Sequence, residues 1–275
     1  MAEPTPETSL LTTLDRVLRG SYLQKDNLAN GTIDVPARRL TGLGLVLGGL
    51  YGLGLGTYAL FQGTDHAFLQ ALASAVKVPL LFLLTLLVTF PSLYVFAALQ
   101  RLPLDFRGTL RLLLLAILVH LAVIASLAPV FAFFAASTKS YSFMLLLNVA
   151  FFAAGGLLGF MVLRRATHGM FAAPRTPPPP LPVPAPGLEA GGTAEAAAPP
   201  PAPAALPRQV VAHGAEQARR VLRVWCLVYG VVGAQMGWLL RPFLGSPDVP
   251  FTLFRPREDN FFVGVMRALG ALLGR

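Results

Sequence analysis

Polar side chains that could do chemistry are few within the apolar stretches of this chain. His120 is a titratable group near the middle of one stretch, and Asn148 and Gln235 are single amides in two others. A histidine can relay a proton or bind a metal ion, but both tasks usually involve carboxylate or cysteine partners, which the sequence does not supply beside it. We therefore interpret all three first as groups that hydrogen-bond between helices, and second as members of a polar pathway.

A proline interrupts the second apolar stretch, and hydroxyl groups flank it. Pro91 lies deep within residues 78–99, where its missing N–H frees a backbone carbonyl and predicts a kink unless a neighbouring group satisfies that carbonyl. Thr85, Thr89 and Ser92 are placed for this task. A broken helix can also line a pore or a substrate cavity, although the sequence shows no second broken helix in an inverted repeat.

Motifs of common enzyme classes are absent from the sequence. It has no HExxH pair, no nucleophile elbow, no Walker-type glycine loop and no paired intramembrane aspartates. The single cysteine, Cys226, gives neither a disulfide framework nor a thiolate metal cluster. We expect a non-enzymatic protein with no cofactor and no metal site.

Glycines recur every four residues in the first apolar stretch. In a soluble helix each would cost about 0.5–1 kcal/mol relative to alanine, whereas in a bilayer they let a second helix approach closely. Glycine pairs with the same spacing in the fourth and fifth stretches offer complementary flat surfaces. We expect the first stretch to be the close-packed centre of the chain's own bundle, with dimerisation through it as the alternative. The predicted helix-packing residues are Gly44, Gly48, Gly52, Gly56, Gly155, Gly159, Gly233 and Gly237.

Composition indicates a membrane protein. Mean hydropathy is +0.63, with 55% hydrophobic and 13% charged residues, which lies outside the usual range of soluble domains. Several stretches are long enough, at about 1.5 Å per residue, to cross about 30 Å of hydrocarbon. The predicted fold class is all-α, a polytopic integral membrane protein with five transmembrane helices plus N- and C-terminal amphipathic helices. The predicted spans are Leu40–Phe61, Val78–Leu99, Leu110–Phe134, Tyr141–Leu163 and Val221–Leu240.

The segments outside the spans differ in composition. Residues 9–19 form an amphipathic pattern too short to cross the bilayer, which predicts a helix lying on the membrane, on a partner or on the protein's own loops. The Pro/Ala-rich tract predicts a disordered linker, with a docking strip for a proline-recognising domain as the alternative. The predicted regions are a cytoplasmic arm (1–39), a four-helix membrane bundle (40–163), the cytoplasmic linker (164–209), a surface helix with the fifth span (210–240) and an aromatic, basic interfacial tail (241–275).

Basic residues alternate between connections, which predicts the orientation by the positive-inside rule. The N-terminal arm and the second connection are rich in arginine and lysine, whereas the first and third hold only Lys77 and Lys139. We therefore expect a cytoplasmic N-terminus and an exterior tail, with re-entry or a sixth crossing as alternatives because the tail is itself basic. The arginine-rich, alanine-rich and proline-rich composition points to a bacterial inner membrane. The scattered positive charge predicts contact with lipid headgroups and no nucleic-acid partner.

The second span carries a family resemblance. Residues 77–82 (KVPLLF) and 90–94 (FPSLY), together with the predicted topology, make the chain similar to uncharacterised bacterial multi-span proteins of the Yip (Ypt-interacting protein) type. The eukaryotic family's acidic-Tyr-Gly-Pro signature is absent, so Rab-type partners and site residues do not transfer. The resemblance implies a non-enzymatic protein that acts in membrane organisation or as a partner subunit.

Two functions follow as expectations. The first is an accessory or scaffold subunit that anchors, organises or assembles a membrane complex, with a protein partner or as a homo-oligomer in the bilayer. The second is a small transporter or channel with a cavity at the proline-broken second helix.

Overall fold

The fold is known from a computed structural model, which describes residues 10–20, 35–64, 66–99, 106–172, 208–245, 250–254 and 259–274. Within these ranges the regular structure is entirely helical. Five segments are long and apolar enough to cross a membrane, and the third of them comprises α4 and α5 together. The predicted all-α polytopic fold is thus confirmed. The helices are α1 (Leu10–Leu18), α2 (Ala37–Phe61), α3 (Ala67–Leu99), α4 (Phe106–Ser126), α5 (Ala128–Ser137), α6 (Tyr141–Ala172), α7 (Arg208–Leu239) and α8 (Phe261–Leu272).

Three helices extend by nine or more residues beyond the predicted spans. α3 begins at Ala67, whereas the predicted span starts at Val78, so Pro79 lies inside the helix and not in its first turn. α6 continues to Ala172, and α7 begins at Arg208 without a break between the predicted surface helix and the fifth span. Residues 173–207, most of the predicted linker, lie outside the described part of the chain.

The third span is divided at Leu127. Its N–H approaches the carbonyl oxygens of both Val123 and Ile124, and Pro129 then occupies the first turn of α5. A proline is tolerated in a first turn because the N–H that it lacks has no intrahelical partner there. The division therefore separates two helices that follow one another through the same membrane span.

α2 packs against α3, α4 and α5 of the same chain. Along its glycine face, a Cβ on Gly48 would lie 3.0 Å from Pro79 Cβ, and Cβ atoms on Gly52 and Gly56 would overlap α3 itself. Gly44 faces Leu121 of α4, with 3.4 Å between a Cβ there and Cδ1 of the leucine. The regularly spaced glycines of α2 therefore face the second and third spans. The expectation that the fourth and fifth spans supply its complementary surface is wrong, because their glycines face other helices.

α1 packs on the bundle through Thr13 and Val17, both of which are buried, and it contacts α2 and α4. The contacts that the structure describes are with helices of the same chain, whereas the third location we considered for this helix was the protein's own loops. At the far end of the chain, Asn260 caps α8 by accepting a hydrogen bond from the Val263 N–H at 3.0 Å. α8 contacts α6 and α7.

The segment after α7 folds back over the first half of α3. Lys77 donates to the backbone carbonyls of Pro242, at 3.2 Å, and of Leu253. Gln70 also donates to the Pro242 carbonyl, at 3.1 Å, and Ser74 donates to the Phe243 carbonyl at 2.6 Å. Lys77, which the charge pattern placed in a connection, is consequently only 4% exposed. The start of the tail thus lies at the end of the bundle where α3 begins.

Candidate functional site

A cleft of about 1090 Å³ opens between α3, α4, α6, α7 and α8. This volume is slightly above the usual range of small-molecule pockets, about 300–1,000 Å³. Its walls are mostly apolar, and they combine leucines and aromatic rings with small residues. Representative lining residues are Leu81, Phe82, Leu113, Phe152, Leu227 and Tyr229.

Small residues keep the cleft open on the α7 side. A Cβ on Gly230 would meet no atom within 4 Å, and one on Gly237 would lie 3.9 Å from the nearest side chain, Leu81. Gly233 is closer, with 3.4 Å from a Cβ to Thr85. Gly233 and Gly237 therefore do not form the tight helix contact that their spacing predicted. They leave room in front of α3 where longer side chains would fill it.

Small residues on α6 have the opposite effect. A Cβ on Gly155 would lie 2.6 Å from Cδ2 of His120, and one on Gly159 would lie 2.8 Å from the Ala116 carbonyl oxygen. α6 and α4 therefore approach closely along this face. The two glycine pairs share one spacing in the sequence, yet one makes a tight contact and the other borders a cleft.

Two hydrogen bonds fasten α7 to α3 beside the cleft. Trp225 Nε1 donates to the Thr89 carbonyl at 2.9 Å, and the Tyr229 hydroxyl donates to the Phe82 carbonyl at 3.4 Å. α7 also contacts α6 and α8. It is nevertheless peripheral, because only 6% of the residues in its apolar window are buried, compared with 56% for α2. The cleft is therefore bounded on this side by a largely exposed helix.

His120 and Asn148 are the two predicted pathway residues that the structure brings to the cleft. The imidazole lies edge-on to Phe82, with 4.7 Å between ring centroids, and 5.8 Å from the Phe152 ring. Its Nε2 atom is buried and has no hydrogen-bond partner in the described part of the chain. The Asn148 side chain accepts a hydrogen bond from the Tyr51 hydroxyl at 2.9 Å, which joins α6 to α2. Both residues thus lie on the mostly apolar wall of the cleft.

The other predicted pathway residues lie elsewhere. Pro91 is exposed on the outside of α3, and α3 continues through it as a helix. The hydroxyl of Thr89 bonds the Thr85 carbonyl, and that of Ser92 bonds the Thr89 carbonyl. The carbonyl that a proline at position 91 frees is that of residue 87. These hydroxyls therefore do not satisfy it, contrary to our expectation.

Gln235 joins two helices outside the cleft. Its side-chain oxygen accepts a hydrogen bond from the Phe261 N–H at 3.5 Å. This contact ties α7 to the first residue of α8. Gln235 therefore forms a hydrogen bond between helices, which was the first of our two interpretations of this residue.

Positive charges lie at both ends of the cleft. Arg223 lines one end, and Arg241 and Arg267 line the other, together with Asp259. The helix between Arg223 and the end of α7 is about 25 Å long at 1.5 Å per residue, which is close to the thickness of the hydrocarbon core. The lining residues of α7 thus lie along a stretch of helix about as long as the hydrocarbon core is thick. Hydropathy could not reveal this arrangement, because it does not tell which arginines face the same space.

An arginine and a tryptophan stack at the α8 end. The Arg241 guanidinium lies 3.9 Å from the Trp238 ring centroid, and Trp238 Nε1 donates to the Asp259 backbone carbonyl. The Asp259 carboxylate pairs with Arg267. α8 reaches the ring closely because Gly264 lies beneath it, where a Cβ would overlap the indole. This end of the cleft is therefore built from fixed side chains.

The arrangement is suited to holding a molecule with an apolar body and a charged end. Among the described residues, no three His, Cys, Asp or Glu side chains lie together in a way that could hold a metal ion. The polar groups are instead spread along an apolar wall and concentrated at its ends. Comparisons of this chain with protein-family models, with curated proteins and with solved structures find no match.

Proposed function

We propose that this protein is a non-enzymatic integral membrane protein that binds an amphiphilic molecule of lipid size in its intramembrane cleft. The observation that carries the proposal is the cleft itself, which has apolar walls, arginines at both ends and a volume of about 1090 Å³. A large apolar pocket with a few convergent polar groups is the usual form of a small-molecule site. The proposal is related to the transporter alternative, which expected a cavity at the second span, because Leu81, Phe82 and Thr85 of that span line the cleft.

Selectivity in such a site has to come from shape and polar groups. Lipid tails are as apolar as leucine side chains, so moving an acyl chain from the bilayer into the cleft gains little hydrophobic free energy. The Phe82 and Phe152 rings stack at 5.6 Å and give the wall a fixed shape. His120 and Asn148 add polar atoms beside them. These features distinguish the cleft from an ordinary lipid-facing surface.

Two glycine substitutions test the proposal as a matched pair. Gly230→Leu introduces a side chain into the cleft, and Gly42→Leu introduces the same side chain on α2 away from the cleft. A Cβ meets no atom within 4 Å at either position. We expect the purified Gly230→Leu protein to lose bound lipid, measured by mass spectrometry of the detergent-solubilised protein. Gly42→Leu should keep the lipid, and equal lipid content in the two variants would contradict the proposal.

A second candidate, the accessory or scaffold subunit, is supported by the exposure of α6 and α7. Only 11% and 6% of the residues in their apolar windows are buried within the chain. Val231 of α7 is 52% exposed and Val88 of α3 is 57% exposed, and neither lines the cleft, so Val231→Trp and Val88→Trp change two similar outer surfaces. If α7 carries a partner or a second copy, Val231→Trp should reduce co-purification or oligomer mass, and Val88→Trp should not. Unchanged assembly in Val231→Trp would count against this candidate.

The bacterial inner membrane and the cytoplasmic N-terminus remain part of the proposal. They are supported by the distribution of arginine and lysine between connections. A cysteine at position 139, introduced as Lys139→Cys in a Cys226→Ala background, reports the side of the third connection because Lys139 is exposed. We expect labelling by an impermeant reagent in intact spheroplasts. Labelling only after lysis would reverse the proposed orientation.

A further inference from the structure

We infer that the molecule held in the cleft carries a hydroxyl group within its apolar body, and that this hydroxyl hydrogen-bonds to His120. The inference rests on the proposed function and adds the chemical class of the ligand and the residue that selects it. It is carried by the imidazole of His120, which lines the cleft and has ring contacts but no hydrogen bond in the part of the chain that the structure describes.

One edge of the His120 imidazole lies against α6, and the other edge faces the cleft. A Cβ on Gly155 would lie 2.6 Å from Cδ2 and 3.0 Å from Nε2, and Nε2 is buried. The atoms nearest to Gly156, which lines the cleft, are Cε1 and Nδ1, at 3.6 and 3.8 Å from a Cβ there. The residue as a whole is partly exposed. Nδ1 is therefore the nitrogen that a molecule in the cleft can reach.

The side chains around the imidazole are hydrocarbon rings. Phe82 lies edge-on, with 4.7 Å between ring centroids, and the Phe152 centroid is 5.8 Å away. A polar group in apolar surroundings gains free energy from any hydrogen bond that it can make, because no water competes for it in the membrane core. A hydroxyl group both donates and accepts, so it fits Nδ1 whether or not this nitrogen carries the proton.

Asn148 is the weaker candidate for this contact. It also lines the cleft, but its side-chain oxygen already accepts a hydrogen bond from the Tyr51 hydroxyl at 2.9 Å. That bond holds the amide toward α2. The imidazole of His120 has no such commitment among the described residues, and we therefore place the hydroxyl of the ligand there.

His120 also lies at a depth to which an ordinary phospholipid brings no oxygen. It is the fifteenth of the 32 residues of the third span, Phe106–Ser137, and so lies near the middle of that span. The oxygens of a phospholipid lie at the edge of the hydrocarbon core, about 15 Å from its middle. An oxygen that bonds His120 must therefore be carried within the apolar part of the ligand.

The same hydroxyl would give the ligand a reason to leave the bilayer. An unsubstituted acyl chain gains little on moving from lipid tails to leucine and phenylalanine side chains. A hydroxyl group within the chain has no hydrogen-bond partner among lipid tails, whereas it finds one at His120. The ligand class is thus an amphiphile with a hydroxylated chain.

Two fatty acids that differ by one oxygen atom provide the measurement. Stearic acid and 12-hydroxystearic acid share the carboxylate and the chain length. Carbon 12 of the extended chain lies about 14 Å from the carboxylate, which is close to half the thickness of the hydrocarbon core. We would titrate each acid into the detergent-solubilised full chain and measure the bound fraction by native mass spectrometry at equal ratios of fatty acid to detergent.

We expect half-saturation by the hydroxy acid at an approximately fivefold lower ratio than by stearic acid, since one hydrogen bond has about this strength. His120→Leu should remove most of the difference, and His120→Gln, which keeps a polar side chain, should retain part of it. Gln235→Leu is the control, because Gln235 is a polar residue of a span that bonds Phe261 outside the cleft. It should leave the difference unchanged.

The outcomes separate this inference from the proposed function. Equal half-saturation by the two acids in the unmodified chain, or no binding of the hydroxy acid, would overturn the hydroxylated ligand, and this comparison depends on no variant. A preference that survives His120→Leu in full would overturn the position at His120. If Gly230→Leu leaves the binding of both acids unchanged, the cleft does not hold them and the proposed function itself fails.

Discussion

A Cβ atom on Gly52 would overlap the backbone carbonyl of Ser74, so α2 and α3 meet backbone to backbone at this point. The same helices are in contact one turn earlier in α2, where Gly48 faces the ring and backbone of Pro79. Proline inside a membrane helix is tolerated where a neighbouring helix covers the altered backbone. The glycines of α2 let this helix cover the backbone of α3 at Pro79. Pro91, the other proline inside α3, is exposed instead.

Gly52→Ala should destabilise the protein strongly. The added methyl group has to displace the backbone of α3, and overpacking of this kind costs about 1–3 kcal/mol or more. Gly42→Ala is the control, because a Cβ there meets no atom within 4 Å. It should change the free energy of unfolding by less than about 0.5 kcal/mol. Unfolding in mixed micelles with increasing dodecyl sulfate measures both, and equal effects would show that α2 and α3 do not meet at Gly52.

Adjacent glycines in α6 should respond differently to the same substitution. A Cβ on Gly155 would lie 2.6 Å from His120 and 2.9 Å from Ile124, whereas one on Gly156 would lie 3.6 Å from His120, an ordinary contact distance. We expect Gly155→Ala to lower the free energy of unfolding by about 1–3 kcal/mol and Gly156→Ala to be nearly neutral. His120→Ala should relieve part of the Gly155→Ala loss. Additive losses in the double variant would contradict the contact.

The spans could be predicted because hydropathy is a local property of the sequence. The start of α3 could not be predicted in this way. The predicted span started at Val78, which put Pro79 in the first turn, whereas Pro79 lies inside the helix and packs against Gly48 of α2. The burial of Lys77 depends on carbonyls more than a hundred residues away in the chain, at Pro242 and Leu253. These features arise from tertiary contacts that no spacing rule contains.

The cleft was only partly predictable for the same reason. His120 and Asn148 could be selected as the polar residues of two spans, and both do line the cleft. Thr89, Pro91 and Ser92 were selected because the sequence predicted a break at Pro91. α3 is continuous there, and Pro91 is exposed on its outer face. The cleft itself results from residues that are too small to fill it, and Gly233 has the same sequence spacing to Gly237 as the tightly packed Gly155 has to Gly159. Only the neighbouring helix distinguishes a contact from a space.

Lys77→Met should loosen the start of the C-terminal tail. The ammonium group donates to the carbonyls of Pro242 and Leu253 and lies 5.2 Å from the centroid of the Phe254 ring. Without it, the Leu253 carbonyl loses this donor, at a cost of up to about 1–3 kcal/mol, whereas the Pro242 carbonyl keeps the hydrogen bond from Gln70. We expect faster hydrogen exchange at residues 243–245 and 251–254. Lys139→Met, which removes an exposed ammonium group, should leave exchange there unchanged, and equal exchange in Lys77→Met and the unmodified chain would rule out the anchoring role.

Tyr51→Phe should weaken the link between α2 and α6 and release the amide of Asn148 on the cleft wall. The hydroxyl of Tyr51, which is fully buried, is 2.9 Å from the Asn148 side-chain oxygen, and interhelical hydrogen bonds in membranes contribute about 0.5–1.5 kcal/mol. A double-mutant cycle with Asn148→Ala should therefore show a coupling energy of this size. Tyr58→Phe is the matched control on the same helix, because the Tyr58 hydroxyl bonds the Lys139 backbone carbonyl at 2.9 Å. It should destabilise the protein without coupling to Asn148, and an equal coupling for both tyrosines would show that the Tyr51 bond does not hold the amide.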